Sequence, residues 1–131
     1  MNRILASRSW YQLKKTFEIY KEKYGKSFGG DLPTKGLNYW YKSGLLAIHQ
    51  YAMDSNAFFA EALHRDVHWS HYGVGWGNAY GVARVFAWRS EIDLGDIAKA
   101  YKVRYSKMTL LQWVKASMKG EAKDALIGIL Q

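Results

Sequence analysis

Ile4-Leu5-Ala6-Ser7-Arg8-Ser9 returns 81 positions later as Val85-Phe86-Ala87-Trp88-Arg89-Ser90, and Leu13, Tyr20, Lys21, Tyr24 and Lys26 return as Leu94, Tyr101, Lys102, Tyr105 and Lys107. The chain therefore reads as a tandem repeat. The copies also end alike, Leu45-Leu46-Ala47-Ile48 being answered at the same offset by Leu126-Ile127-Gly128-Ile129. Leu13, Thr16, Phe17, Tyr20 and Tyr24 fall at i, i+3, i+4, i+7 and i+11, the spacing of one apolar helix stripe, and Leu94, Ile97, Ala98, Tyr101 and Tyr105 repeat it in the same phase. Two stripes in one phase predict a shared all-α fold. The duplication carries no chemistry, so function has to be sought where the copies differ.

Working outward, Asn2 to Ser7 reads as a short helix, Ser9 as the N-cap of the first stripe's helix and Gly25 as its end. Ser27 to Leu32 is a further short helix, stopped by Pro33 and Gly36. A helix from Leu37 or Tyr39 to Ala52 follows, then one capped by Asp54, Ser55 or Asn56 and running to Val67. In the second copy Ser90 is expected to cap the stripe's helix, with Asp93 three residues on. Thr109 to Val114 is another helix, Gly120 a loop, and Ala122 to Leu130 the closing helix. The segment from His68 to Gly81, His-Trp-Ser-His-Tyr-Gly-Val-Gly-Trp-Gly-Asn-Ala-Tyr-Gly, reads as a loop. The expected core is the two stripes with Leu45, Leu46, Ile48, Leu126, Ile127 and Ile129.

The 131 residues, 49% of them hydrophobic, suffice for one compact domain with a real core and not for two large ones. The chain has no window of roughly 20 apolar residues, the length a membrane-spanning helix needs. Arg3, Arg8 and Lys14 interrupt any secretory signal. Without cysteine, disulfides and thiolate metal sites are excluded, and the expected address is cytoplasmic. The net charge of +8 favours an anionic partner, although the lysines and arginines are scattered along helix faces rather than gathered in a block. No nucleic-acid motif accompanies the charge, so nucleic acid is not an expected partner.

Asn2-Arg-Ile-Leu-Ala-Ser-Arg-Ser9, Phe17-Glu-Ile-Tyr-Lys-Glu-Lys-Tyr-Gly-Lys-Ser27, Phe58-Phe-Ala-Glu-Ala-Leu63, Arg89-Ser-Glu-Ile-Asp-Leu-Gly-Asp-Ile97 and Lys119-Gly-Glu-Ala-Lys-Asp-Ala-Leu126 together resemble the annexin family. The resemblance covers nearly the whole chain outside Thr34 to Lys42 and Asp66 to Gly81. It implies two tandem annexin-like repeats in a right-handed superhelical arrangement within one domain. Residues 1–53 would hold helices B to E of one repeat, and 54–131 helices A to E of the next. Annexins bind acidic phospholipid through calcium held between the A-B loop and a carboxylate of the D-E loop, hard-cation chemistry that needs several oxygens. The first copy lacks its A-B loop, and the position where the acid is expected falls near Lys35. In the second, Gly75-Trp76-Gly77-Asn78 stands as a vestige of the glycine motif inside a lengthened loop. Its acid position falls near Ser117, with Glu121 the nearest carboxylate. The expected metal site is thus a weak vestigial calcium loop of Gly75, Gly77, Asn78 and Glu121, with calcium binding expected to be lost or weak and no other cofactor.

Where the chain departs from the family it uses a narrow alphabet: Trp10-Tyr11, then Tyr39, Trp40 and Tyr41, then His68, Trp69, His71, Tyr72, Trp76 and Tyr80 among serine, glycine and asparagine. Tyrosine and tryptophan give large contact area at small entropy cost, which is the composition of a binding surface. The last two groups are the expected binding surface. Three readings compete: aromatics that repack a shortened core, a diverged or engineered scaffold binding a protein or small ligand, and calcium-independent attachment to anionic phospholipid at the membrane periphery. A minimal fold without activity is the limiting case of the first. The core reading predicts buried Trp40 and Trp76; both binding readings predict exposed ones. Apolar surface left by the missing A helix is expected to be covered by homodimerisation or by the aromatic segment. His64, His68 and His71 lack a fourth zinc ligand, and Ser70-His71 with Asp66 and Glu61 lacks a nucleophile-elbow or oxyanion context, so no catalysis is expected.

Overall fold

Ser9 starts the first long helix through a reciprocal cap, its Oγ accepting from the Gln12 amide at 3.3 Å while the Gln12 side-chain oxygen accepts from the Ser9 amide at 3.2 Å. Thr109 and Gln112 build the same device in the second half. The computed structural model describes residues 2–71 and 79–131, with the side chains of 67–71 and 79 outside that description. The described residues form α1 (Asn2–Ser7), α2 (Trp10–Tyr24), α3 (Phe28–Asp31), α4 (Tyr39–Met53), α5 (Ser55–His71), α6 (Ala79–Arg89), α7 (Leu94–Arg104), α8 (Leu110–Ser117) and α9 (Gly120–Leu130). No strand occurs among them, and the chain is all-α. None of the helices is long and apolar enough to cross a membrane.

The chain divides into two compact units, Met1–Ser55 and Asn56–Gln131. In the first, Leu5, Leu13, Phe17, Leu32, Leu45 and Ala52 are buried together, with Phe28, Leu46, Ile48 and Met53 packed against them. Helix α2 ends at Gly25, whose φ of 70° is open to glycine at no steric cost. Phe17 and Phe28 stack at 5.0 Å, and the His49 imidazole meets them at 4.9 and 5.9 Å. Burial in this apolar setting holds the His49 imidazole below its ordinary value.

The second unit buries a larger set: Ala60 and Leu63 of α5, Val82 and Phe86 of α6, Leu94, Ile97 and Tyr101 of α7, Leu110 and Val114 of α8, and Leu126 of α9. Tyr101 is fully buried, and burial pushes its phenol well above the ordinary range. Its hydroxyl lies 3.2 Å from His64 Nδ1.

Several sequence expectations need correction. His68 to His71 is helical, the last turn of α5, because no glycine or proline interrupts the chain before Gly73; Ala79, Tyr80 and Gly81 likewise open α6. Ser90 does not cap α7. A turn spans residues 90–93, α7 starts at Leu94, and the Asp93 carboxylate is taken by the Arg89 guanidinium, whose Nε donates to Oδ1 at 2.7 Å and whose Nη2 donates to Oδ2. Gly120 belongs to α9 rather than to a loop. Thr16 is exposed with its hydroxyl donating to the Gln12 carbonyl at 2.8 Å, and Tyr24 and Ile129 are exposed too. On α9 the buried arc runs through Leu126, Ile127 and Leu130, which leaves Ile129 on its flank.

Removing a ring from the centre of a packed cluster leaves a cavity, so Phe86→Ala costs about 3–5 kcal/mol, whereas Ile129→Ala stays within about 1 kcal/mol. Denaturant titration of the two variants checks the contrast. Because His49 titrates lower when folded, the unfolded chain takes up its proton first, near the ordinary value of 6.5. The stability that depends on neutral His49 is present above that pH and is lost as pH falls towards the folded value. Thermal melts at pH 7.5 and 5.5 should differ in that direction, and His49→Phe should reduce the difference.

Candidate functional site

Pro33 stops the chain after α3, Gly36 adopts a φ of 87°, and the Asn38 side chain accepts from the Trp40 amide at 2.9 Å to start α4. These three residues set Tyr39, Trp40 and Tyr41 in the first turn of a helix, where successive side chains point about 100° apart. Tyr39 and Trp40 are 72% and 78% exposed, and their rings meet edge to face at 5.2 Å. Trp40 therefore does not repack the core. Tyr41 turns the other way, its hydroxyl donating to Oδ1 of Asn2 on α1.

Behind the pair lies an open apolar recess of about 320 Å³, lined chiefly by Leu5, Ala6, Trp40, Tyr41, Leu45 and Ile48. Its only polar side chains are Asn2 and the rims of the two aromatics. Such a recess takes an apolar group whose polar end stays in water. Lys35 is exposed in the approach to α4.

Trp10 and Tyr51 form a second aromatic pair in this unit, with centroids 4.4 Å apart, beside a recess of about 410 Å³ that Lys14 and Asp54 also line. Sequence reading singled out Trp10-Tyr11 as a departure but gave neither a binding role. The partner, Tyr51, is separated from Trp10 by 41 positions in a different helix, and no local pattern links them.

In the second unit Tyr80 is 80% exposed in the first turn of α6. His68, Trp69 and His71 lie on the last turn of α5, with side chains outside the described residues. Tyr72 and Trp76 lie outside the described residues entirely, as do Gly75, Gly77 and Asn78 of the glycine-rich segment. Glu121 is exposed in the first turn of α9. Ser117 ends α8 with its Oγ out of solvent and without a hydrogen-bond partner.

His64 is packed: its ring stacks on Tyr105 at 3.7 Å and 9°, and its Nδ1 faces the Tyr101 hydroxyl. No group of three His, Cys, Asp or Glu side chains suited to a metal ion occurs among the described residues. A recess of about 330 Å³ between α5 and α6 is lined by Phe58, Phe59, Arg65, Asp66, Arg84 and Trp88 among others, with the Arg89 guanidinium 4.7 Å above the Phe59 ring. Sequence reading did not foresee this site, since its charges of both signs come from two helices.

Comparison with known proteins points one way. The family model described as Annexin matches residues 1–48. Annexin B22 of Schistosoma mansoni is 36% identical over 126 residues, which is 96% of this chain and 33% of that protein. Human annexin A1 is 33% identical over 128 residues, 98% of this chain and 35% of that protein. The solved structure of annexin III superposes with a TM-score of 0.85 at 32% identity, over 98% of this chain and 38% of that one. The chain thus spans about a third of the length of the curated relatives it matches.

With most of its surface in water, Trp40 contributes little to folding. Trp40→Ala is expected to leave stability within about 1 kcal/mol, whereas Leu45→Ala, which removes a buried side chain from the neighbouring turn, costs about 2–5 kcal/mol. Parallel urea titrations read both.

Proposed function

The chain belongs to the annexin family, and from that premise we propose that it is a non-catalytic module attaching to anionic phospholipid surfaces without calcium. The observation that carries this reading is the exposure of Tyr39 and Trp40 on the first turn of α4. Amphipathic rings held in water on a rigid helix end suit the headgroup layer, where the ring body is buried and the polar edge stays wet. The net charge of +8 adds attraction to an anionic leaflet, worth about 1 kcal/mol for each lysine or arginine that reaches the surface.

The residues near the two implied acid positions support a loss of calcium ligation. Lys35 puts an ammonium, and Ser117 a single neutral hydroxyl, near where the family resemblance calls for a bidentate carboxylate. Glu121 lies four residues beyond Ser117 on another helix. Carbonyls alone rarely offset the dehydration of a hard cation, so the two positions support loss of ligation. The corresponding address is cytoplasmic and peripheral to membranes.

A second reading draws on the apolar recess beside Trp40, whose size and lining suit one apolar side chain or a small ligand. A protein or small-molecule partner would then take the surface otherwise given to lipid. Both readings place binding on Tyr39, Trp40 and Tyr41.

Co-sedimentation in chelator with vesicles of pure neutral lipid and of neutral lipid mixed with an anionic one tests the proposal. The expected result is partition onto the anionic vesicles alone, falling as salt is raised from 50 to about 500 mM. Tyr39→Ala with Trp40→Ala should lower it by about tenfold or more. Absence of binding to anionic vesicles at low salt would falsify the membrane reading and leave the recess for a protein or small ligand.

A further inference from the structure

Two aromatic residues open α2, and the repeat does not require them. At the offset of 81 they are answered by Glu91 and Ile92, which stand in a turn, and Lys14 is answered by Gly95. The second unit thus builds the same stripe, Leu94 in place of Leu13, without two rings and a cation ahead of it and beside it. In the first unit Trp10 is 51% exposed and Tyr11 is more exposed still. Rings with an apolar body and a polar edge, held at the surface where the fold has no call for them, are suited to contact with a ligand.

Trp10 meets Tyr51, near the end of α4, with the ring planes at 58°, so the two rings form a corner rather than a stack. The recess of about 410 Å³ beside the corner is lined also by Tyr11, Met53, Lys14 and Asp54, a volume within the range of about 300–1,000 Å³ that small-molecule sites occupy. Its two charges come from different places in the chain. Lys14 lies one turn after Trp10 on α2, and Asp54 is the residue that ends α4. An aromatic face attracts a cation, tryptophan most strongly, and a carboxylate at the same corner adds to that field. Lys14 repels a simple cation and attracts an acid. The complement is therefore one molecule that carries both charges. A methylated ammonium suits the rings better than a primary one, since it has no N–H donors to leave unsatisfied against an apolar face.

We propose that this recess binds a soluble betaine, a zwitterion in which a quaternary ammonium is joined by a short chain to a carboxylate. Its methylated ammonium rests against Trp10, Tyr11 and Tyr51 with Asp54 beside it, and its carboxylate faces Lys14. The site is separate from the proposed lipid contact. Tyr39 and Tyr51 lie at opposite ends of α4, about 18 Å apart along the helix axis.

The test uses the full chain and carnitine as probe, and follows saturation transfer from the protein to the methyl protons of the ligand. Saturable transfer is expected, with a dissociation constant of about 1 mM or tighter. Carnitine stripped of its methyl groups should bind about tenfold more weakly, and Trp10→Ala should weaken carnitine itself by about as much. Lys14→Gln should weaken carnitine about threefold, as suits an exposed charge pair, and leave choline, which has no carboxylate, no weaker. That selective effect keeps the test decisive even where Trp10→Ala disturbs the fold, since Lys14 is exposed and a structural role would move both ligands alike. Asp54→Asn should weaken carnitine and choline together. Tyr39→Ala with Trp40→Ala should leave carnitine binding unchanged, whatever it does to vesicle partition. Absence of saturable transfer overturns the proposal, as does equal binding of the stripped analogue or indifference to Lys14→Gln. Loss of carnitine binding in the Tyr39 and Trp40 double variant would place the ligand at the other end of α4 and overturn it too.

Discussion

Helix α7 cannot exist alone in water with Leu94, Ile97 and Tyr101 on one side, and the second unit is arranged to bury that side. Four other helices supply Ala60, Leu63, Val82, Phe86, Leu110, Val114 and Leu126 to enclose it. The Tyr101 hydroxyl is the one polar atom of the stripe brought into this interior, and the His64 ring nitrogen meets it. In the first unit Leu13 and Phe17 impose the same demand on fewer helices, and the enclosure is correspondingly smaller.

Local rules place the aromatic pair that carries the proposed function. Pro33, the left-handed Gly36 and the Asn38 cap fix where α4 begins, and its first turn then holds Tyr39 and Trp40 away from the core while Leu45, in the neighbouring turn, is buried. A rigid helix end presents the rings with little conformational entropy to lose on binding. Charge acts over a longer range and less specifically. In the proposed attachment the excess of lysine and arginine would attract an anionic surface, and the rings would give the attachment a depth.

The helices were legible because their signals are local. Ser9 with Gln12, Gly25, Asn38 and Thr109 with Gln112 are punctuation that needs no tertiary context, and the 81-residue offset made each stripe a control for the other. Legibility failed where a distant partner competes with a local rule. Ser90 reads as a cap until Arg89 reaches Asp93 and moves the helix start to Leu94. His68 to His71 reads as a loop from composition, yet the backbone has no reason to leave the helix before Gly73. Trp10 and Tyr51 become a pair only through packing between α2 and α4. Exposure of Trp40 was likewise undecidable from sequence, since a tryptophan after a cap serves a core or a surface equally well.

Calcium dependence is the most direct test of the central claim, because lipid attachment by rings and charge differs from attachment by a bridging ion in that variable alone. The partition of the chain onto anionic vesicles should be measured as free calcium is raised from chelator levels to about 1 mM, the weak end of calcium affinities. A flat profile, apart from slight screening, is the predicted result. Partition that rises steeply from zero and saturates with calcium would contradict the account, and would mean that the chain still assembles an oxygen cage despite Lys35 and Ser117.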